Sequence, residues 1–130
     1  MNTISERIEE ELLKWEGVTA GTHRFGGIEF RANRQEMGHI HGNSLVDFPF
    51  PVQLRKELVF SGKVSLHHVL PESGWASYWI KSDTDFKEII ELFRIQYERL
   101  KPKEQSSVST SIIKRLLQTN TVPPLNQIDS

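Results

Sequence analysis

The sequence contains no cysteine among its 130 residues, which excludes disulfide frameworks, thiol catalysis and metal sites built on thiolates. No apolar run approaches the ~20 residues that a membrane-spanning helix needs, and the N-terminus lacks the layout of a secretory signal. Basic residues are not in excess, because 16 Lys and Arg stand against 17 Asp and Glu. That balance argues against a dedicated nucleic-acid or anionic-membrane surface. We therefore expect a cytoplasmic protein whose partner is a small molecule, with neither nucleic acid nor membrane as a partner.

Length and composition indicate one soluble domain with one core, since 37% of the residues are apolar and 25% are charged. The chain becomes polar after a Lys-Pro pair near residue 102, and its end carries two prolines and little to bury. We expect an α+β domain over residues 1–102. A polar linker, a short helix at 110–118 and a frayed tail should fill residues 103–130.

The spacing of apolar residues predicts both helices and strands. Helical spacing predicts helices over residues 4–15 and 84–100, and a third that begins at Pro51 and ends at Gly62. Alternating residues predict three or four short strands, then a fifth strand after the middle helix. This order predicts an α+β fold, with an antiparallel sheet of four to six strands and helices packed on one face. The predicted strands are residues 20–25, 27–33, 36–41, 44–48 and 75–80.

All five histidines lie between residues 23 and 68, and His39 and His41 are the most informative pair. Residues two apart in a strand point to the same face, so the two imidazoles should lie side by side. Such a pair can bind a metal, move protons or orient a ligand, with Glu36 and Asp47 as nearby carboxylates. The alternative is a solvated strand face. A metal site would also need a third protein ligand.

Four further residues are candidates for the same site. His67 and His68 would face opposite ways in a strand, so one of them can join the first pair. Trp75 is either a core residue or an aromatic wall for a flat ligand. Arg34 either meets an anionic ligand or belongs to a solvated face.

Several runs of the sequence resemble the bacterial luciferase-domain family, which is distantly similar to the fungal luciferases. The resemblance covers about residues 8–100. The runs are Trp15-Glu16-Gly17-Val18, Arg24-Phe25-Gly26-Gly27-Ile28-Glu29-Phe30, Glu36-Met37-Gly38-His39-Ile40-His41-Gly42, Asp47-Phe48-Pro49-Phe50-Pro51 and His67-His68-Val69-Leu70-Pro71-Glu72-Ser73-Gly74-Trp75.

The resemblance to the fungal enzymes implies a reaction and a set of residues. Those enzymes oxidise a hydroxylated, aryl-substituted pyrone with molecular oxygen. For this chain it implies oxidation of a small enolic or aromatic molecule without cofactor or metal, with a histidine as the base. The alternatives are a non-catalytic ligand-binding or interaction module and a histidine-based metal site. The expected catalytic residues are His39, His41 and His68, and the expected ligand-binding residues are Glu36, Trp75, Arg34, Asp47 and His67.

Overall fold

A computed structural model describes residues 2–22, 26–67 and 73–101. The described part contains three α-helices and one six-stranded antiparallel sheet, which confirms the predicted α+β class. None of its helices has both the length and the apolar character needed to cross a bilayer. The predictions for His68 and for the linker, helix and tail of residues 103–130 lie outside the described residues.

The strands form the sheet in the order β1-β2-β3-β4-β6-β5. Most of the predicted elements are present, with shifted ends. The first helix is shorter than predicted and begins with a capping box formed by Thr3 and Glu6. The short strand β5 was not predicted. The elements are α1 (Ile4–Leu12), β1 (Val18–Thr22), β2 (Ile28–Ala32), β3 (Gln35–His41), β4 (Leu45–Phe48), α2 (Val52–Phe60), β5 (Ser65–Leu66), β6 (Ala76–Trp79) and α3 (Phe86–Leu100), with a 3-10 turn at Asp83–Asp85.

The core lies between the sheet and α3. Phe93 of α3 contacts Phe30 of β2 and Phe48 of β4, with ring centroids 5.6 and 4.8 Å apart. Gly38 of β3 lies between those strands, and a Cβ there would come within 3.1 Å of the Phe93 ring. The core face of the sheet is therefore the face that carries Phe30, Gly38 and Phe48.

Helix α1 packs against α3 and contributes three buried apolar residues, Ile4, Ile8 and Leu12. Tyr97 of α3 donates a hydrogen bond from its hydroxyl to the carbonyl oxygen of Glu16, at 2.6 Å. These contacts cover the core face and leave the functional candidates on the other face of the sheet.

Candidate functional site

One row of residues crosses the sheet on the face opposite α3. In this row Glu29 pairs with His39, His39 with Asp47, and Asp47 with Ser77. Directly opposed residues of antiparallel strands point to the same side. The neighbouring row contains Gly38, whose missing side chain would point to Phe93, so the row with His39 faces away from α3.

A β-bulge adds Glu36 to this face. Residues three apart in a regular strand point to opposite faces, which would turn Glu36 away from His39. The pairing of β2 with β3 shifts between Phe30 and Arg31, so that Phe30 opposes Gly38 and Arg31 opposes Glu36. The extra residue returns the Glu36 side chain to the His39 side, and a hydrogen bond of 2.7 Å joins Glu36 Oε2 to His39 Nδ1. Bulges commonly re-aim side chains in this way beside active sites.

Three imidazoles converge on one oxygen of Asp47. The Nε2 atoms of His39, His41 and His67 lie 3.4, 3.2 and 3.4 Å from Asp47 Oδ2. The other carboxylate oxygen, Oδ1, accepts a hydrogen bond of 2.6 Å from the hydroxyl of Ser77. Asp47 itself is fully buried. We call His39, His41, His67 and Asp47 the histidine cluster.

His39 is held on several sides. Its ring lies 5.2 Å from the Trp75 ring and 4.8 Å from the His41 ring, measured between centroids. Burial lowers the pKa of His39, but its contacts with the carboxylates of Asp47 and Glu36 together outweigh burial and raise the pKa to about 9. In the protein alone these carboxylates therefore favour the protonated form of His39, which suits a hydrogen-bond donor better than the base expected from the sequence.

The cluster is reached from the side of His41. The side chain of His41 is 29% exposed and that of His67 is 15% exposed, whereas His39 is 6% exposed. A ligand can therefore contact His41 at the surface while Asp47 remains shielded from solvent. The arrangement can donate several N–H groups to an anion, or it can offer nitrogen and oxygen lone pairs to a cation.

Most of the residues predicted from the sequence come together here, although their roles remain predictions. Glu36, Asp47, His67 and Trp75 all contact one of the two central histidines or the Asp47 carboxylate. Arg34 does not join them in this way, because it occupies the exposed turn between β2 and β3, where its φ is 65°.

Within residues 26–67 and 73–101, Ser77 is the member of the site that the sequence prediction missed. Its signal was present, since a small polar residue in the middle of an aromatic strand needs a buried partner.

The model of the Luciferase domain family matches residues 34–96. That range contains the histidine cluster together with Glu36, Trp75 and Ser77, so the resemblance predicted from the motifs is confirmed over these residues. No curated protein and no solved structure matches the chain.

Proposed function

We propose that this domain is an oxidoreductase that uses molecular oxygen to oxidise a small enolic or aromatic molecule at the histidine cluster. The observation that carries the proposal is the convergence of three imidazole Nε2 atoms on the buried Oδ2 of Asp47. The family match over residues 34–96 supports this class of reaction, because the fungal luciferases that the motifs resemble oxidise a hydroxylated pyrone with oxygen.

The substrate class follows from what the cluster can stabilise. An enol or phenol must lose its O–H proton, which the His41 imidazole would accept, before it gives up an electron to oxygen readily. The resulting oxyanion needs positive charge beside it. Imidazole nitrogens supply that charge as N–H donors or by holding a cation. The oxyanion would meet the cluster at His41, which is its most exposed member. The half-buried Trp75 ring, in contact with His39, offers an apolar wall for the remainder of a flat molecule.

The test combines binding with oxygen consumption. Untagged full-length protein is screened by thermal shift against hydroxypyrones, cyclic 1,3-diketones and catechols, and each compound that binds is followed with an oxygen electrode. The expected result is substrate-dependent oxygen uptake by the wild type. His41→Ala should lower this rate by ~100-fold or more, the scale of losing a group that handles charge in the transition state. Lys87→Ala, an exposed change on α3, should leave the rate unchanged and serves as the control.

The same experiment distinguishes the rival functions. Saturable binding of an enolic compound without oxygen uptake would contradict the oxidoreductase and favour a binding module. Equal rates in the wild type and His41→Ala would show that the reaction takes place away from the cluster.

A further inference from the structure

We infer that the histidine cluster binds a divalent first-row transition-metal ion, with His39, His41 and Asp47 as ligands and His67 beside them. This inference rests on the proposed function in taking the cluster as the functional site, and it names the positive charge that would meet the substrate oxyanion. Metal binding can nevertheless be measured without any substrate.

The distances from the imidazoles to Asp47 Oδ2 fit the edges of a coordination shell. Nitrogen and oxygen ligands lie ~2.1 Å from such an ion, so two of them are roughly 3.0 Å apart at right angles and roughly 3.4 Å apart at tetrahedral angles. The three Nε2 atoms lie 3.2 to 3.4 Å from Asp47 Oδ2. The donor atoms of His39, His41 and Asp47 are also all within 4.8 Å of one another.

Hydrogen bonds account for the same distances less well. An N–H···O bond is usually about 2.7–3.2 Å long, and a charge-assisted one is in the lower part of that range. All three Nε2 contacts lie at or beyond the long end, whereas the bonds that surround them are short. His39 Nδ1 to Glu36 is 2.7 Å and Ser77 to Asp47 Oδ1 is 2.6 Å. The three Nε2 atoms thus lie at similar distances from Asp47 Oδ2, whereas the hydrogen bonds around them are short.

The short outer bonds orient the inner atoms for a metal. The Glu36 carboxylate accepts the proton of His39 Nδ1, which leaves the lone pair of a neutral ring on Nε2, the atom that faces the cluster. Ser77 occupies Asp47 Oδ1 and leaves Oδ2 to face the imidazoles. Carboxylate–histidine–metal arrangements of this kind are the usual outer shell of histidine metal sites.

The ligand set selects the class of metal. Imidazoles with one carboxylate suit Fe²⁺, Mn²⁺, Co²⁺ and Zn²⁺, whereas Mg²⁺ and Ca²⁺ prefer oxygen alone. Two histidines and a carboxylate also form the triad that leaves positions open on an oxygen-activating iron.

The test measures the metal itself. Untagged full-length protein is analysed for bound metals by mass spectrometry, stripped with a chelator, and titrated by calorimetry with Zn²⁺, Mn²⁺, Mg²⁺ and, without oxygen, Fe²⁺. We expect one equivalent of a transition metal to bind and Mg²⁺ to bind weakly or not at all.

The critical variant is Asp47→Asn, which keeps every histidine and still offers an amide oxygen to Ser77. It should weaken Zn²⁺ binding by at least ~100-fold, more than the loss expected for an outer partner. Asp83→Asn makes the same chemical change at an exposed site and should have no effect. Glu36 is a positioning residue: Glu36→Ala should cost ~10–100-fold in affinity, and Glu36→Gln, which keeps an acceptor for Nδ1, should recover part of it.

Three outcomes would overturn the metal site: no binding by the wild type, unchanged binding by Asp47→Asn, or undiminished oxygen uptake by chelator-stripped protein. If Asp47→Asn fails to fold, the partly exposed His41→Ala replaces it with the same expected loss. Metal binding without turnover of any enol would leave this inference standing and remove the proposed function. Turnover of an enol by metal-free protein would remove this inference and leave the proposed function standing.

Discussion

Gln96 is the side chain whose replacement tests most directly how β3 and β4 are held beneath the site. It is completely buried on α3, and its Nε2 donates to the carbonyl oxygen of Met37 at 3.0 Å and to that of Pro49 at 3.5 Å. Pro49, which follows β4, has no backbone N–H to donate. The side chain of Gln96 on α3 therefore supplies a donor that Pro49 cannot supply. Gln96→Leu keeps most of the volume and removes the donor, together with the Oε1 atom that accepts from Arg99 Nε at 3.1 Å.

The expected cost follows from the groups left unpaired. A buried carbonyl that loses its hydrogen bond costs about 1–3 kcal/mol. Loss of the bond to the Met37 carbonyl should account for most of this cost, and loss of the 3.5 Å contact with Pro49 for much less. We expect Gln96→Leu to lower the free energy of unfolding by about 2 kcal/mol. For a domain of this size that corresponds to a fall in Tm of roughly 10 °C.

The assay is denaturant unfolding followed by both circular dichroism and tryptophan fluorescence, with the metal absent. Gln53→Leu is the matched control, because Gln53 is exposed on α2 and its replacement should change stability by no more than about 0.5 kcal/mol. Equal stabilities of Gln96→Leu and the wild type would refute the reasoning, since the two carbonyls would then have no need of Gln96.

Two further changes probe the backbone beside the site and the start of α3. Gly38→Ala should destabilise the fold by about 1–3 kcal/mol, measured by thermal unfolding, because the new Cβ would lie 2.8 Å from the Asp47 carbonyl oxygen and 3.1 Å from the Phe93 ring; a neutral result would mean that β3 and β4 can separate freely. Asp85→Ala should cost about 1 kcal/mol at pH 7, because its carboxylate accepts from the backbone N–H of Lys81 at 2.7 Å. Burial raises the pKa of Asp85, but bonds from Lys81 and the next backbone N–H outweigh it and lower the pKa. The difference between Asp85→Ala and wild type should therefore persist above about pH 4 and vanish as the pH falls through that lowered pKa; a difference that is the same at pH 2 and pH 7 would count against the cap.

The secondary structure was largely predictable because it depends on local patterns. The spacing of Ile4, Ile8 and Leu12 predicts α1, and all three are buried. Its predicted extension to residue 15 failed because the chain turns there toward Gly17, whose φ is +84°. Strand β5 was missed because Ser65 and Leu66 are too few to show alternation; their pairing with β6 defines the strand.

The site was predictable only in part, for a reason that lies in strand geometry. The period of two places His39 and His41 on one face without any knowledge of the fold. Whether Asp47 meets them depends on the register of β3 with β4, which pairs His39 with Asp47. Whether Glu36 meets them depends on a bulge, for which Gly38 inside the strand is the only signal in the sequence. The approach of His67 depends on the pairing of β5, which directly precedes it, with β6, and two strand residues are too few to predict that pairing.

The register of β3 also links the geometry of the site to the packing of the core. A shift of one residue in β3 would exchange the two faces, placing Ile40 at the cluster and His39 against the core. Because Ile40 is fully buried on the core face, such a shift would remove an apolar side chain from the core and bury an imidazole there without its carboxylates. The apolar core therefore excludes a one-residue shift and keeps His39 on the same face as Asp47. A metal ion that binds both strands would favour the same pairing, adding ~2.7 kcal/mol to the stability at a concentration of about one hundred times its Kd. Metal-dependent stabilisation that disappears in Asp47→Asn while the metal-free stability is kept would show that coupling directly.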